Sequence, residues 1–193
     1  LGGQLLLAGA TQDRRELLTV VLDLEQGLNE SGAEVRLGVK ATPEIIAAQA
    51  ADQVILATGA RPVGADLPGS ERSRVVQAWD VLSGEQMVGR KVVVVGGGPV
   101  AVDVARELSQ RGTLDGETLR FLLVNEAEDP ESLRQRCLRG THQVTMVEMK
   151  PKAGDGIGKS TSWSMLQDLK RLAVEVFTET TVIGIDEEGV TVE

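Results

Sequence analysis

One segment of this sequence combines residue types and spacing that could bind a phosphate, the glycine segment Gly96-Gly97-Gly98-Pro99-Val100-Ala101. It matches G-x-G-x-x-G/A, in which the backbone cradles the pyrophosphate of a dinucleotide. Gly96 would permit the tight turn, and Gly98 would let a phosphate approach because it has no Cβ. Ala101 would let a following helix pack closely on a preceding strand, and the N-terminus of that helix would offer free N–H groups. The segment therefore predicts a site for NAD(H) or NADP(H).

The elements on either side of the glycine segment decide how specific this pattern is. Residues 92–95 are four consecutive valines, which is typical of a buried parallel strand. Residues 99–110 form a predicted helix with Val100, Val104 and Leu108 on one face. A strand before the glycines and a helix after them make the pattern specific, although a tight turn that binds nothing stays an alternative.

A dinucleotide site also needs an acid at the end of the next strand, where it accepts hydrogen bonds from the adenosine ribose. That strand is predicted over residues 144–149, and Glu148 lies near its end. Glu148 follows Gly98 by about 50 residues rather than the usual 20 or so, because residues 113–143 have the pattern of a helical insertion. An insertion in this connection leaves the following strand in place, so Glu148 is the predicted ribose ligand. A solvated strand end is the alternative for Glu148.

The choice between the two coenzymes depends on the charges beside Glu148. A carboxylate at this position repels a 2′-phosphate and favours NAD(H). Lys150 and Lys152 lie just beyond it and could hold that phosphate, so both coenzymes stay open.

A second glycine-rich segment, Ala153-Gly154-Asp155-Gly156-Ile157-Gly158-Lys159-Ser160, nearly matches the P-loop pattern G-x-x-x-x-G-K-S. Ala153 occupies the position of the first required glycine, and we find no downstream strand that ends in a magnesium-binding Asp. The pattern favours a loop in which Ser160 or Thr161 caps a helix over residues 161–172. A P-loop nucleotide hydrolase stays a minor alternative.

Composition narrows the classes of function. The chain has 193 residues and a formal net charge of −9, which disfavours nucleic acid or an anionic membrane as a partner. Its single Cys (Cys137) and single His (His142) exclude a disulfide framework and a multi-histidine site, so no metal ligand is predicted. We expect Cys137 to be a packing residue, His142 to lie at the surface, and Trp79 and Trp163 to lie in the core. No side chain is predicted to be catalytic.

The two ends of the sequence and its apolar runs bear on its cellular context. No stretch approaches the roughly 20 apolar residues of a membrane helix, and neither a starting Met nor a signal peptide is present. We therefore expect part of a longer, cytoplasmic protein.

The remaining elements alternate between helix and strand. Further helices are predicted over residues 17–28 and 45–50 and from about residue 79. Thr42-Pro43-Glu44 is the predicted start of the second of these, with Thr42 as its N-cap. Further strands are predicted over residues 33–39, 53–57, 174–177, 181–185 and 190–192. The last two strands would form a hairpin. This alternation predicts an α/β, Rossmann-like parallel sheet with a β-hairpin. A stretch with two Pro and two Gly over residues 61–74 marks a linker or domain crossing.

Five sequence segments, taken in order, resemble a known family. They are Leu1-Gly2-Gly3-Gln4-Leu5, Val54-Ile55-Leu56-Ala57-Thr58-Gly59-Ala60-Arg61-Pro62, Ala78-Trp79-Asp80-Val81-Leu82, the glycine segment, and Val144-Thr145-Met146-Val147-Glu148-Met149. The ordered set is similar to the C-terminal region of the NADH:flavin oxidoreductases of the old yellow enzyme class. That class includes 2,4-dienoyl-CoA reductase, trimethylamine dehydrogenase and related NADH oxidases, and the resemblance covers essentially the whole chain.

The resemblance implies a domain organisation. In the family, an N-terminal barrel with FMN and a 4Fe-4S cluster precedes an FAD- or ADP-binding domain, into which an NAD(P)-binding domain is inserted. It implies that residues 1–74 are the incomplete second half of the FAD/ADP-type domain and residues 75–193 the inserted NAD(P) domain. The residues it assigns to the flavin-type domain are Gly2, Gly3, Gln4, Ala57, Thr58 and Gly59.

The resemblance also implies a function, in which NAD(P)H is held so that its nicotinamide transfers a hydride to a flavin. The partners it implies are NAD(P)H and the FMN barrel of the parent protein. We expect the 193 residues alone to be inactive. A noncatalytic adenine-nucleotide-binding or electron-transfer docking module is the alternative, and no feature specifies an oligomeric state.

Overall fold

The computed structural model describes all 193 residues, which form two compact units, Leu1–Pro62 and Val63–Glu193. The units separate within the stretch of residues 61–74 whose composition marks a linker. Their assignment to two nucleotide-binding domains stays a prediction. None of the helices has the length and apolar character needed to cross a membrane.

The first unit consists of helices and loops. Its helices are α1 (Gln4–Ala8), a short 3-10 helix (Gln12–Arg14), α2 (Leu17–Glu30) and α3 (Pro43–Ala48). The hydroxyl of Thr42 accepts a hydrogen bond from the Ile45 N–H at 3.4 Å, so Thr42 is the N-cap of α3. This agrees with the predicted start of that helix.

The two strands predicted in the first unit are wrong. Residues 33–39 and 53–57 lie outside regular secondary structure. Ile55, in the middle of the second apolar run, is 89% exposed. A strand forms only where a neighbouring backbone pairs its N–H and C=O groups, and neither run has such a neighbour in this chain. The apolar side chains of these two runs are therefore exposed in this structure, although their pattern is typical of buried strands.

The second unit contains a parallel sheet and a hairpin. Its elements are α4 (Ala78–Ser83), β1 (Lys91–Val95), α5 (Pro99–Gln110), α6 (Gly116–Val124), α7 (Pro130–Leu138), β2 (Gln143–Val147), α8 (Lys159–Arg171), β3 (Glu175–Phe177), β4 (Val182–Ile185) and β5 (Val190–Val192). The parallel sheet has the order β1-β2-β3, and β4 pairs antiparallel with β5. The predicted α/β, Rossmann-like fold is confirmed.

The core of this unit lies between the sheet and helices α5 and α8. It includes Val94 and Met146 from the strands and Leu108 and Leu169 from the helices. The predicted face of α5 is correct at Val104 and Leu108 but wrong at Val100, which is exposed. Val102 and Ala105 are fully buried instead. The small side chain of Ala105 is compatible with close packing of this face of the helix.

Trp163 was predicted in the core and is 66% exposed. Helix α8 begins at Lys159, two residues before the predicted start, and buries Met165 and Leu169. Trp163 lies on the solvent side, where its Nε1–H donates to the Ser160 carbonyl at 3.1 Å. Apolar spacing alone did not distinguish the two faces because α8 carries large apolar residues on both.

The insertion between α5 and β2 consists of two capped helices. Asp115 accepts from the Thr118 N–H at 2.8 Å, and Asp129 accepts from the Ser132 N–H at 3.0 Å. Leu133 is buried and anchors α7, while Cys137 is a free, half-buried thiol on the same helix. The segment predicted as helical therefore contains two helices.

An ion pair joins the two helices that cover the sheet. Arg106 on α5 donates to Asp168 on α8 at 2.9 Å, with the two side chains 11% and 24% exposed. Asp168→Asn removes this carboxylate from Arg106, and we expect the free energy of unfolding in urea to fall by about 1–3 kcal/mol. Glu131→Gln, which breaks the exposed Glu131–Arg134 pair, is the matched control and should change nothing measurable. Equal effects of the two variants would contradict this view of the helix interface.

The sole histidine gives a pH-dependent prediction. His142 is half-buried rather than at the surface as predicted, and burial lowers its pKa, with Arg111 and Arg90 acting in the same direction. Such a group stabilises the fold above the unfolded pKa of about 6.5, and this stability is lost as pH falls through the lower folded pKa. His142→Gln should therefore reduce the loss of unfolding free energy between about pH 7.5 and 5.5. The ring protons of His142 should titrate below about 6.5 by NMR, and a higher value would contradict the prediction.

Candidate nucleotide-binding site

The register of the parallel strands brings Glu148 to the glycine segment. Val95 lies opposite Val147 in the β1–β2 ladder, and the Gly96 N–H donates to the Val147 carbonyl at 2.8 Å. The residues that follow the two strands therefore meet at the carboxyl edge of the sheet, where open α/β sheets bind ligands. The inserted helices α6 and α7 do not disturb this edge, because they precede β2.

The glycine segment leaves open space where a phosphate could approach. Gly96 has φ +103°, which favours glycine, and Gly98 is the N-cap of α5. A Cβ built on either residue would meet no atom within 4 Å. Pro99 supplies no N–H, and α5 has no side-chain cap, so no side chain occupies the place of an acceptor at Val100 and Ala101. This exposed helix N-terminus fits the pyrophosphate of a dinucleotide.

The Glu148 carboxylate is buried against this segment. One oxygen (Oε2) accepts from the Gly97 N–H at 2.5 Å, and the other (Oε1) accepts from the Lys150 N–H at 2.7 Å. Glu148 is 7% exposed, so the alternative of a solvated strand end is wrong. A Cβ on Gly97 would lie 2.8 Å from Oε2, which explains a glycine at a position the pattern leaves free. Sequence reasoning missed this contact, although a glycine at position 97, where the motif allows any residue, was a signal for it.

The second glycine-rich loop packs on the first. The Gly154 N–H donates to the Gly97 carbonyl at 2.6 Å, and a Cβ on Gly156 would touch the Pro99 ring at 3.5 Å. The Gly154 N–H is therefore hydrogen-bonded within the protein and does not bind a phosphate. With Ala153 at the first position of the motif, this packing gives the P-loop alternative no support.

The predicted caps of α8 are wrong. Gly158 is the N-cap of this helix, and no side chain caps it. The Thr161 hydroxyl instead donates to the Gly158 carbonyl at 3.2 Å, and Ser160 lies inside the helix. The helix begins at Lys159, directly after Gly158, and therefore earlier than predicted.

A charged pair borders the site. The Lys150 ammonium lies 2.6 Å from Asp155 Oδ2, and the side chains are 59% and 65% exposed. The hydrogen bond between them raises the pKa of Lys150 and lowers the pKa of Asp155. Lys150 was predicted as a phosphate ligand and is placed beside Glu148, but its charge is engaged by Asp155.

In the first unit, the structure brings together only some of the residues assigned to a flavin-type domain. The Gln4 side chain donates to the Ala60 carbonyl at 3.1 Å, next to Gly59, whose φ is +70°. Gly2 has φ +107° and packs near Leu6. The other assigned residues, which make no such contact, are Gly3, Ala57 and Thr58, and all three are exposed.

Comparison with solved structures supports the fold. The chain matches a 2-naphthoyl-CoA reductase with a TM-score of 0.76 at 19% identity, over 100% of this chain and 25% of that one. It also matches 6-hydroxypseudooxynicotine amine oxidase from Pseudomonas geniculata with a TM-score of 0.63 at 20% identity, over 93% of this chain and 24% of that one. At these identities the similarity concerns the fold alone.

Comparison with curated proteins gives closer relatives. The chain is 43% identical to a metal reductase from Desulforamulus reducens, over 99% of this chain and 29% of that protein. It is 32% identical to an NADH oxidase from Thermoanaerobacter brockii, over 98% of this chain and 25% of that protein. The chain thus spans less than a third of the length of either relative.

The family match covers most of the chain. The family model described as pyridine nucleotide-disulphide oxidoreductase matches residues 24–193, which include the whole sheet, the glycine segment and Glu148. Domains of this family bind FAD and NAD(P)H. On this match, the chain belongs to the pyridine nucleotide-disulphide oxidoreductase family.

Proposed function

We propose that this chain binds NAD(P)H at the carboxyl edge of β1 and β2, as the coenzyme-binding part of a flavin oxidoreductase. The observation that carries the proposal is the position of the buried Glu148 carboxylate beside an unobstructed glycine segment. A dinucleotide site needs both a phosphate cradle and a neighbouring ribose acceptor. The sequence supplies them about 50 residues apart, and the parallel register brings them together.

Each residue of the site has a separate role in this proposal. Gly96 and Gly98 let the pyrophosphate approach, and the N–H groups of Val100 and Ala101 bind it. Each carboxylate oxygen of Glu148 accepts one hydrogen bond from a backbone N–H. Each oxygen also retains a further lone pair, and with these lone pairs Glu148 accepts the ribose hydroxyls.

The bound coenzyme supplies the hydride, and the protein supplies binding and orientation. Glu148 fixes the ribose end and the glycine segment fixes the pyrophosphate, so the nicotinamide is directed by contacts remote from it. No side chain of this chain has to act as acid, base or nucleophile in the proposal.

The parent protein belongs, in this proposal, to the old yellow enzyme class and resembles 2,4-dienoyl-CoA reductase. The 43% identity to a metal reductase more than three times as long supports a larger architecture around these residues. Residues 1–74 would contribute to an FAD or ADP site, with Gly2, Gly3, Gln4, Ala57, Thr58 and Gly59 along it, and residues 75–193 to the NAD(P)H site. An FMN and 4Fe-4S barrel would be the electron-accepting partner in the cytoplasm, and the 193 residues alone would be inactive.

Calorimetric titration of the chain with NADH, NADPH, ATP and FAD in parallel tests this proposal. Saturable binding of NADH or NADPH in preference to ATP and FAD is the expected result. Equal binding of ATP and NADH would favour the noncatalytic adenine-nucleotide module. Absence of binding by both pyridine nucleotides would overturn the proposed site.

A further inference from the structure

The Lys150 side chain begins at the proposed ribose site and ends in an ion pair. Its backbone N–H donates to Glu148 Oε1 at 2.7 Å, which places the residue directly beside the carboxylate. Its ammonium lies 2.6 Å from Asp155 Oδ2. The cation whose backbone bonds to Glu148 is therefore paired with a carboxylate five residues further along the same loop.

The position of Asp155 is set by the glycine segment. On one side of Asp155, the buried Gly154 donates its N–H to the Gly97 carbonyl at 2.6 Å. On the other side, Gly156 adopts φ +87° within van der Waals distance of the Pro99 ring. Asp155 thus projects from a loop that is fixed on both flanks to the residues that would hold the pyrophosphate.

A 2′-phosphate would meet an unfavourable arrangement of charges here. Binding it through Lys150 requires the Lys150–Asp155 pair to separate, and it leaves two carboxylates, Glu148 and Asp155, near a phosphate that carries up to two negative charges. A 2′-hydroxyl requires neither change, because Glu148 accepts its hydrogen bond directly.

We propose that Asp155 is a specificity-determining residue, which holds Lys150 and thereby excludes the 2′-phosphate, so that the site selects NADH over NADPH. This inference rests on the proposed function. Asp155 acts on the coenzyme through Lys150 and through its own charge, without forming part of the phosphate cradle.

Asp155→Asn is the test, because the amide keeps the size of the side chain and removes its charge. We expect the Kd for NADPH, measured by calorimetry at about 0.02 M salt, to fall about tenfold while the Kd for NADH changes less than about twofold. The gain should shrink at about 0.5 M salt, since the pair and the phosphate are exposed to solvent. Asp155→Ser, which is smaller, should shift the preference in the same direction.

Two further variants separate this effect from a general change in charge. Adding Lys150→Met to Asp155→Asn should remove most of the gain for NADPH, because the released ammonium binds the phosphate directly. Glu131→Gln removes one negative charge from an exposed ion pair on α7 and should leave the ratio of the two affinities unchanged.

The outcomes distinguish this inference from the proposed function. If the unmodified chain binds NADH but Asp155→Asn leaves the NADPH to NADH ratio unchanged, the specificity role is wrong and the site stands. A gain that survives Lys150→Met in full, or that Glu131→Gln reproduces, also overturns the inference. If the unmodified chain binds neither coenzyme, the proposed site fails and the inference fails with it.

Discussion

Replacing Gly98 by Val is expected to raise the Kd for NADH at least about 100-fold, equivalent to about 2.7 kcal/mol, while the fold keeps most of its stability. A side chain on Gly98 would meet no protein atom within 4 Å, and its φ of −73° suits any residue, so no clash opposes the substitution and only the modest loss of a favourable N-cap residue lowers stability. The same open space is where the pyrophosphate must approach the backbone. The expected loss is therefore mainly in binding, measured by calorimetry beside a urea unfolding curve.

A glycine elsewhere in the unit provides the control. Gly116 begins α6, and a Cβ there would also meet nothing within 4 Å. Gly116→Val should leave the Kd for NADH unchanged, with a small gain in helix propensity because Gly is a poorer helix former than Val. If Gly98→Val binds NADH normally, the glycine segment is only a tight turn, as the alternative interpretation of the sequence holds.

Removing the Glu148 carboxylate should weaken both the fold and the site. Glu148→Ala leaves the Gly97 and Lys150 N–H groups without their acceptor, and an unsatisfied buried donor costs about 1–3 kcal/mol. We expect the free energy of unfolding in urea to fall by about 2–4 kcal/mol and NADH binding to be lost. Glu148→Gln should lose less stability, because its amide oxygen can still accept one of the two bonds.

Two comparisons make this prediction specific. Glu175→Ala removes an exposed acid from the neighbouring strand β3 and should change stability little. Gly97→Ala forces the Glu148 side chain to move. The Cβ added at position 97 would lie 2.8 Å from Oε2 of Glu148 and 3.0 Å from Cβ of Glu148. In the Glu148→Ala background the contact with the carboxylate oxygen disappears while the 3.0 Å contact with Cβ remains, so the steric penalty should become smaller, as a double-mutant cycle would show. Additive effects would mean that Gly97 and Glu148 do not depend on each other.

The parts of the fold that could be predicted are those determined by nearby residues. One continuous stretch of sequence predicts three of these parts, strand β1, the tight turn at Gly96 and helix α5. It contains a run of valines, then three glycines, then apolar residues at helical spacing. The caps at Thr42 and Asp129 are short side chains that bond to the backbone three residues later. The position of Glu148 followed from topology, because adjacent parallel strands end at the same edge of a sheet.

The parts that were missed depend on partners distant in sequence. Ile55 has the apolar pattern of a strand but no paired neighbour, and Trp163 has helical spacing but faces solvent. The carboxylate contact to Gly97 becomes visible only once the glycine segment and the end of β2 are placed side by side. Periodicity reports what a residue prefers, whereas these features depend on what it meets.

The length of the connection between the glycine segment and Glu148 bears on how easily such a site is remodelled. Helices α6 and α7 lengthen that connection from the usual 20 or so residues to about 50. Loop-closure entropy grows only with the logarithm of length, so this extension costs about 0.8 kcal/mol. Because parallel pairing of β1 and β2 must still close the whole loop, we expect the edge to form slowly during folding, after α6 and α7. A crossover of this kind can acquire or lose whole helices while the chemistry at its two ends stays the same.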